Sequence, residues 1–252
     1  MGILLYEKKD HIAYITLNRP DKLNTMSVEL SRQLIKALHD YDNDKDLYAA
    51  IVTGSGERSF CAGADLTDPE HIELGVDWEA DYDWQLAGVK KPLIAAINGY
   101  CLGAGFTLAL CCDIRIASEK ASMGTPDQKL NTVDAYASIM LTRLMPASSA
   151  MEIMMTGERM SAQEAHRLGL VSRVVPASEL VPTAEAIAKK ICGNGPVALW
   201  ACKEINRRAR YMSFDDALAM FKTITGPVLK MDDTREGITA FFEKRPPVWK
   251  LK

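Results

Sequence analysis

The sequence predicts an α/β domain with parallel strand pairing, followed by a helical C-terminal third. Up to about residue 117, apolar runs of strand length alternate with amphipathic stretches in the order strand, helix, strand, strand, helix, strand. From Thr132 onward helical spacing dominates. The stretch from Asn98 to Asp113 is rich in Gly, Ala and Cys and follows the apolar run Leu93 to Ile97, so it reads as strand, tight turn and buried helix. Unpaired N–H groups at the start of such a helix can hold an anion or an oxygen gaining negative charge. A Gly-rich turn that only lets a helix pack closely on a sheet is the competing reading of the same residues.

Residues 3 to 8 and 11 to 17 are strand-like, with Lys9-Asp10 suited to a hairpin turn. Asn18-Arg19-Pro20 breaks the second strand, and Ser27 is placed to cap a helix whose apolar positions are Val28, Leu30, Leu34, Ile35 and Leu38. Tyr48 to Thr53 reads as a buried strand. A second turn of small residues follows at Phe60 to Leu66, and the irregular segment Thr67 to Gln85 reads as partly helical, a lid or pocket wall. Asp113 to Ala117 is a short strand, and Ser122 to Pro126 opens a loop holding Asp127. Helices are expected at 139–144, 147–155 and 161–168, the last begun by a capping box at Ser161, then a strand at Leu170 to Val175. Four helical patterns close the chain, at about 178–192, 196–210, 213–230 and 232–243, with Gly226-Pro227 expected to kink or split the third.

A chain of 252 residues with 48% hydrophobic and 25% charged residues can bury a sizeable core. The expected organisation is a core over residues 1–192 and a helical oligomerisation or lid region over 193–252. A net charge of about -3 does not suggest the basic footprint of a nucleic-acid binder, and the cluster Lys203, Arg207, Arg208 and Arg210 reads as a solvated helix face. The six cysteines show no C-x-x-C spacing and the four histidines no metal spacing, so reduced buried thiols are expected and no metal. No run is long enough to span a bilayer, and Met1 to Tyr6 enters strand-like sequence without a charged leader. The expectation is a cytoplasmic protein without membrane attachment.

The ordered set Asn18-Arg19-Pro20 with Asn24, Phe60 to Leu66, Lys91-Pro92 through Asn98-Gly99, Leu102 to Gly105, Cys112 to Ala117, Thr156-Gly157, Ser161-Ala162, Glu164-Ala165, Gly169 to Val171 and Glu243 to Arg245 resembles the enoyl-CoA hydratase/isomerase (crotonase) superfamily. The resemblance covers nearly the whole chain. It implies a spiral of ββα units, C-terminal helices that build homotrimers or hexamers, an acyl-CoA thioester substrate and no cofactor beyond the coenzyme A that the substrate carries. It also implies an oxyanion hole made by the backbone N–H groups of Ala64 and Ala104. Fixed donors in a dry pocket are already oriented when charge grows on the thioester oxygen. By the same carry-over Lys22, Leu23, Ala62, Asp65 and Leu66 lie along the coenzyme A, and Lys244 reaches a phosphate, on a neighbouring subunit; ordinary solvated charge is the alternative for both lysines.

Hydratases of this superfamily carry two glutamates twenty residues apart; here those positions hold Thr107 and Asp127. Thr107 cannot be a carboxylate base, although its hydroxyl can bond water or a polar substrate group. Asp127 can act as acid or base, or else cap the helix that follows. Asp134, in an apolar loop, resembles an aspartate of the naphthoate-synthase and dehalogenase branches; its alternative is an N-cap for a helix from Ala135. The implied function is hydration or double-bond shift of an enoyl-CoA through a thioester enolate. The alternatives are thioester or carbon–carbon hydrolysis using Asp134, and a non-catalytic protein that binds coenzyme A or RNA.

Overall fold

The structure is a computed structural model that describes residues 2–70, 82 and 85–252. The larger of its two sheets contains β1 (Leu4–Lys9), β2 (Ile12–Leu17), β3 (Ala49–Gly54), β5 (Leu93–Ile97), β7 (Ile114–Ser118) and β10 (Arg173–Val175), in that spatial order. Only the β1–β2 pair is antiparallel; every later neighbour is parallel. The smaller sheet is built from β4 (Ser59–Cys61), β6 (Tyr100–Leu102), β8 (Ser122–Gly124) and β9 (Met160–Ser161), the first three running parallel. Each turn of the chain thus lays one long strand in the large sheet and one short strand in the small sheet. This is the repeated ββα spiral that the resemblance implies.

Both faces of the large sheet are covered, as a mostly parallel sheet requires. Alternate residues of one strand go to opposite sides. Ala13, Ile15, Leu17, Ala50, Val52, Leu93, Ala95 and Ile97 join the main core with α1 (Val28–Asn43) and α2 (Ala104–Cys111). Ile12, Ala49, Ile51, Ile94 and Ala96 face α6 (Leu180–Cys192), which contributes Leu180, Ala184 and Ala188. Ser27 caps α1 as expected, its hydroxyl accepting from the Leu30 N–H at 3.2 Å. Every residue of α2 after Ala104 is buried, so this helix runs through the middle of the domain. Its C-terminal end is held by the half-buried Arg115 guanidinium, which donates to the carbonyls of Cys112 and Leu170.

The remaining helices are α3 (Ala135–Leu144), α4 (Ala147–Thr156), α5 (Ala162–Arg167), α7 (Pro196–Ala209), α8 (Phe214–Val228) and α9 (Asp232–Glu243). Two details differ from the sequence reading. Pro227 does not split α8, because it falls in the last turn, where the break costs only a terminal bond. Lys203 is not part of a solvated face: its ammonium lies 2.7 Å from Asp113 and 2.9 Å from the Lys91 carbonyl, fastening α7 to the sheet. The pocket wall expected at Thr67 to Gln85 falls mostly on residues 71–81 and 83–84, outside the described residues.

Candidate active site

Parallel neighbours in a sheet end at the same edge, so the segments leaving β4, β6 and β8 emerge side by side. They are the turn Ala62 to Asp65, the turn Gly103-Ala104 that begins α2, and the loop Thr125 to Asp127. The two small-residue turns touch. A Cβ built on Gly63 would stand 3.3 Å from the Leu102 carbonyl oxygen, one residue before Gly103. Gly63 and Gly103 both have positive φ, 109° and 49°, and each immediately precedes one of the alanines expected to supply an oxyanion donor.

The two alanine N–H groups are left available by different means. Ala104 is the first residue of α2, where an N–H has no partner within the helix. Ala64 is bridged to Met26: the Met26 N–H donates to the Gly63 carbonyl at 2.8 Å and the Asp65 N–H to the Met26 carbonyl at 2.9 Å. Because those bonds use the groups flanking Ala64, its own N–H points away from Met26. Among the described residues neither alanine N–H has an acceptor.

Asp127 lies against the second turn. A Cβ built on Gly103 would be 3.3 Å from each of its carboxylate oxygens, one of which accepts from the Thr125 hydroxyl at 2.7 Å. Its side chain caps nothing: the short 3-10 turn Asp127–Leu130 has Pro126 at its N-cap and no side-chain cap bond. Asp134 does cap α3, accepting from the Ala137 N–H at 2.8 Å. The same carboxylate also accepts the Thr107 hydroxyl, 2.8 and 2.9 Å from its two oxygens, and both residues are buried. Thr107 sits one turn beyond Ala104, on the same side of α2. A carboxylate therefore reaches the place where Thr107 itself supplies none.

The candidate coenzyme A residues divide into a group and an outlier. Leu23 and Ala62 are joined by a 3.1 Å bond from the Ala62 N–H to the Leu23 carbonyl. Lys22 is exposed beside them at the end of the 3-10 turn Pro20–Lys22, and Leu66 is 63% exposed. The Asp65 carboxylate is already engaged, by Arg19 at 2.7 Å and by the Thr67 hydroxyl at 2.6 Å. Burial pushes this carboxyl up, but the Thr67 and Arg19 bonds outweigh it and hold it at about 2. Lys244 is exposed at the C-cap of α9, and none of its described contacts links it to the other candidates. A cavity of about 550 Å³ lined by Asp232, Asp233, Glu236, Thr239, Arg245 and Lys250 lies near the end of the chain and includes none of the candidate residues. Among the described residues no group of three His, Cys, Asp or Glu could hold a metal, and no helix is long and apolar enough to cross a membrane.

Arg19, which joins the Asp65 carboxylate to the Thr25 carbonyl, did not stand out as a site residue in the sequence. The only signal was its place in Asn18-Arg19-Pro20 ahead of Asn24.

The family model for enoyl-CoA hydratase/isomerase matches residues 7–252. The chain belongs to this family. It is 35% identical over 249 residues to the short-chain-enoyl-CoA hydratase of Clostridium acetobutylicum, covering 96% of this chain and 95% of the relative. It is also 35% identical over 249 residues to the (E)-benzylidenesuccinyl-CoA hydratase of Thauera aromatica, covering 97% of both. Among solved structures, that of enoyl-CoA hydratase from Bacillus anthracis superposes with a TM-score of 0.94 at 35% identity, over 100% of both chains. The family, the crotonase-like fold and an enzyme of acyl-CoA chemistry follow for this chain.

Proposed function

We propose that this protein hydrates an enoyl-CoA or shifts its double bond, through a thioester enolate held by the N–H groups of Ala64 and Ala104, with Asp127 as acid and base. The observation that carries the reading is the Asp127 carboxylate packed on Gly103, directly before the Ala104 donor. In hydration, Asp127 takes a proton from water as the hydroxyl adds to Cβ. The double-bond electrons move toward the thioester oxygen, and the enolate collapses as a proton is delivered to Cα. In a double-bond shift the carboxylate removes an α proton and returns it at Cγ. Two aligned N–H donors and the start of α2 stabilise the charge on oxygen in either case. No bound cofactor takes part in these steps.

Hydration is the better supported of the two, because Asp134 brings a second carboxylate to Thr107. In this reading their polar atoms hold the attacking water. The names of the relatives agree, although their acyl groups range from short chains to an aromatic succinyl thioester. A hydrolytic reading, in which Asp134 activates water at the acyl carbon, rests on the same buried carboxylate and predicts release of free coenzyme A.

Incubation with a panel of enoyl-CoAs in heavy water, followed by mass spectrometry, separates these outcomes. Water addition with deuterium at Cα supports hydration, and exchange alone supports isomerisation. Absence of both with every thioester overturns the enolate reading.

We further propose that residues 193–252 form an assembly element for a homotrimer or hexamer. Among the described residues none of α8 is buried, and Phe214, Phe221, Phe241 and Phe242 are exposed. Light scattering after gel filtration tests this; a monomer at micromolar concentration contradicts it. Six cysteines that form no disulfide among the described residues fit a reducing compartment such as the cytoplasm.

A further inference from the structure

We propose that Arg19 is a positioning residue for the Ala64 oxyanion donor, clamping the turn that carries it by joining Thr25 to Asp65. This inference rests on the reading of Ala64 as an enolate-holding group.

The direction of the Ala64 N–H is set from behind. It points away from Met26 only because the Met26 N–H and carbonyl hold Gly63 and Asp65 on either side of it. The segment carrying Met26 is neither helix nor extended strand. Leu23 and Asn24 both adopt left-handed φ values, 51° and 55°, so no regular ladder fixes the segment in place. Local turn bonds, such as Asn24 N–H to the Arg19 carbonyl at 2.9 Å and Thr25 N–H to the Lys22 carbonyl at 3.0 Å, fold the segment, and side chains tie it to the Ala64 turn. Arg19 Nη1 donates to the Thr25 carbonyl at 2.6 Å, and Nη2 reaches Asp65 Oδ2 at 2.7 Å. One planar guanidinium thus ties the residue before Met26 to the residue after Ala64, spanning the bridge between them. The Asn24 side chain anchors the base of this arrangement, accepting from the Arg19 N–H at 2.9 Å and donating to the Ser59 carbonyl at 2.8 Å.

The clamp is not a surface ion pair. The Arg19 and Asp65 side chains are 17% and 8% exposed, so the pair is largely desolvated and is screened little by salt. The second carboxylate oxygen of Asp65 is fixed by the Thr67 hydroxyl and N–H, so the acceptor cannot swing to follow a displaced partner. Lysine carries a point charge on a flexible stem and cannot reproduce a fork that serves two acceptors at set angles. A donor displaced by about 1 Å from the developing charge can cost about 100-fold in rate.

The test uses the full-length protein with Arg19→Lys, Arg19→Gln and the double variant Arg19→Gln/Asp65→Asn, which leaves no unpaired buried charge. Two readouts are needed: kcat and KM for α-proton exchange on the thioester the wild type turns over best, and the dissociation constant of a saturated acyl-CoA. Clamping predicts that kcat falls about 10- to 100-fold in all three, while KM and saturated acyl-CoA affinity change little in the two single variants. Arg19→Lys should keep the folded baseline even if Arg19→Gln melts early. Variants that exchange at the wild-type rate overturn the proposal, as do variants whose rate loss only tracks the fraction unfolded. Failure of the wild type to exchange any thioester overturns the enolate reading together with the clamp, whereas an active wild type with unaffected Arg19 variants overturns the clamp alone.

Discussion

The Thr107 hydroxyl donates to both carboxylate oxygens of Asp134, at 2.8 and 2.9 Å, and so joins the helix that begins at Ala104 to the cap of α3. The two residues are separated by 27 positions in sequence. At this point α2 offers a hydroxyl, and the next helix brings a carboxylate to it.

Thr107→Val should remove the bond and leave Asp134 with one partner fewer in a buried setting, at a cost of about 1–3 kcal/mol. Thr107→Ser keeps the hydroxyl and should stay near the wild type. Urea denaturation of both variants measures the difference, and equal midpoints would show that the bond contributes nothing.

Asp127→Asn should lower turnover by about 10²- to 10⁴-fold, the usual range for loss of a positioned acid or base. The asparagine carbonyl can still accept from Thr125, so the melting temperature should barely move. An Asp127→Asn protein with full activity transfers the acid–base role to Asp134.

Gly103→Ala should damage the site more than the fold. Its backbone, at φ 49° and ψ -123°, lies in a region that side chains enter at a cost of about 1–3 kcal/mol, and the new methyl would lie 3.3 Å from both Asp127 oxygens. The expected result is a modest fall in melting temperature with a large fall in kcat. A crystal structure of the variant would reveal whether the carboxylate has been pushed aside.

Asp65 predicts how stability responds to acid. Its folded carboxyl sits at about 2 against an ordinary value of 3.8, a depressed value. The stabilisation is therefore complete above about pH 4 and is lost as pH falls toward about 2, amounting to about 2 kcal/mol. Asp65→Asn removes this contribution, so its stability deficit relative to the wild type should shrink across that window. A deficit that stays constant with pH would contradict the assignment.

The long elements were legible because their burial pattern is periodic: β2, β3 and β5 alternate between two cores, and α1 carries both a stripe and a serine cap. The short strands β4, β6 and β8 were not. Three residues hold no period, and the Gly- and Ala-rich sequence around them reads as turn. Missing them hid the reason the site exists, which is that three parallel strands finish along one edge. Ala64, Ala104 and Asp127 were singled out through the family resemblance, whereas the Thr107–Asp134 bond and the Arg19–Asp65 pair join residues 27 and 46 positions apart. Local spacing carries no record of such pairs. Asp134 also illustrates why weighing a capping role against a chemical one from sequence gave no decision: a single carboxylate both caps α3 and binds Thr107.

The groups proposed to hold the enolate belong to the main chain, and of all point mutations only one to proline deletes a peptide N–H. Inherited variation at positions 107, 127 and 134 can thus alter which proton moves, or where water attacks, while the electrophilic half of the site persists through descent. A lineage built this way can explore new reactions without first losing its hold on the thioester.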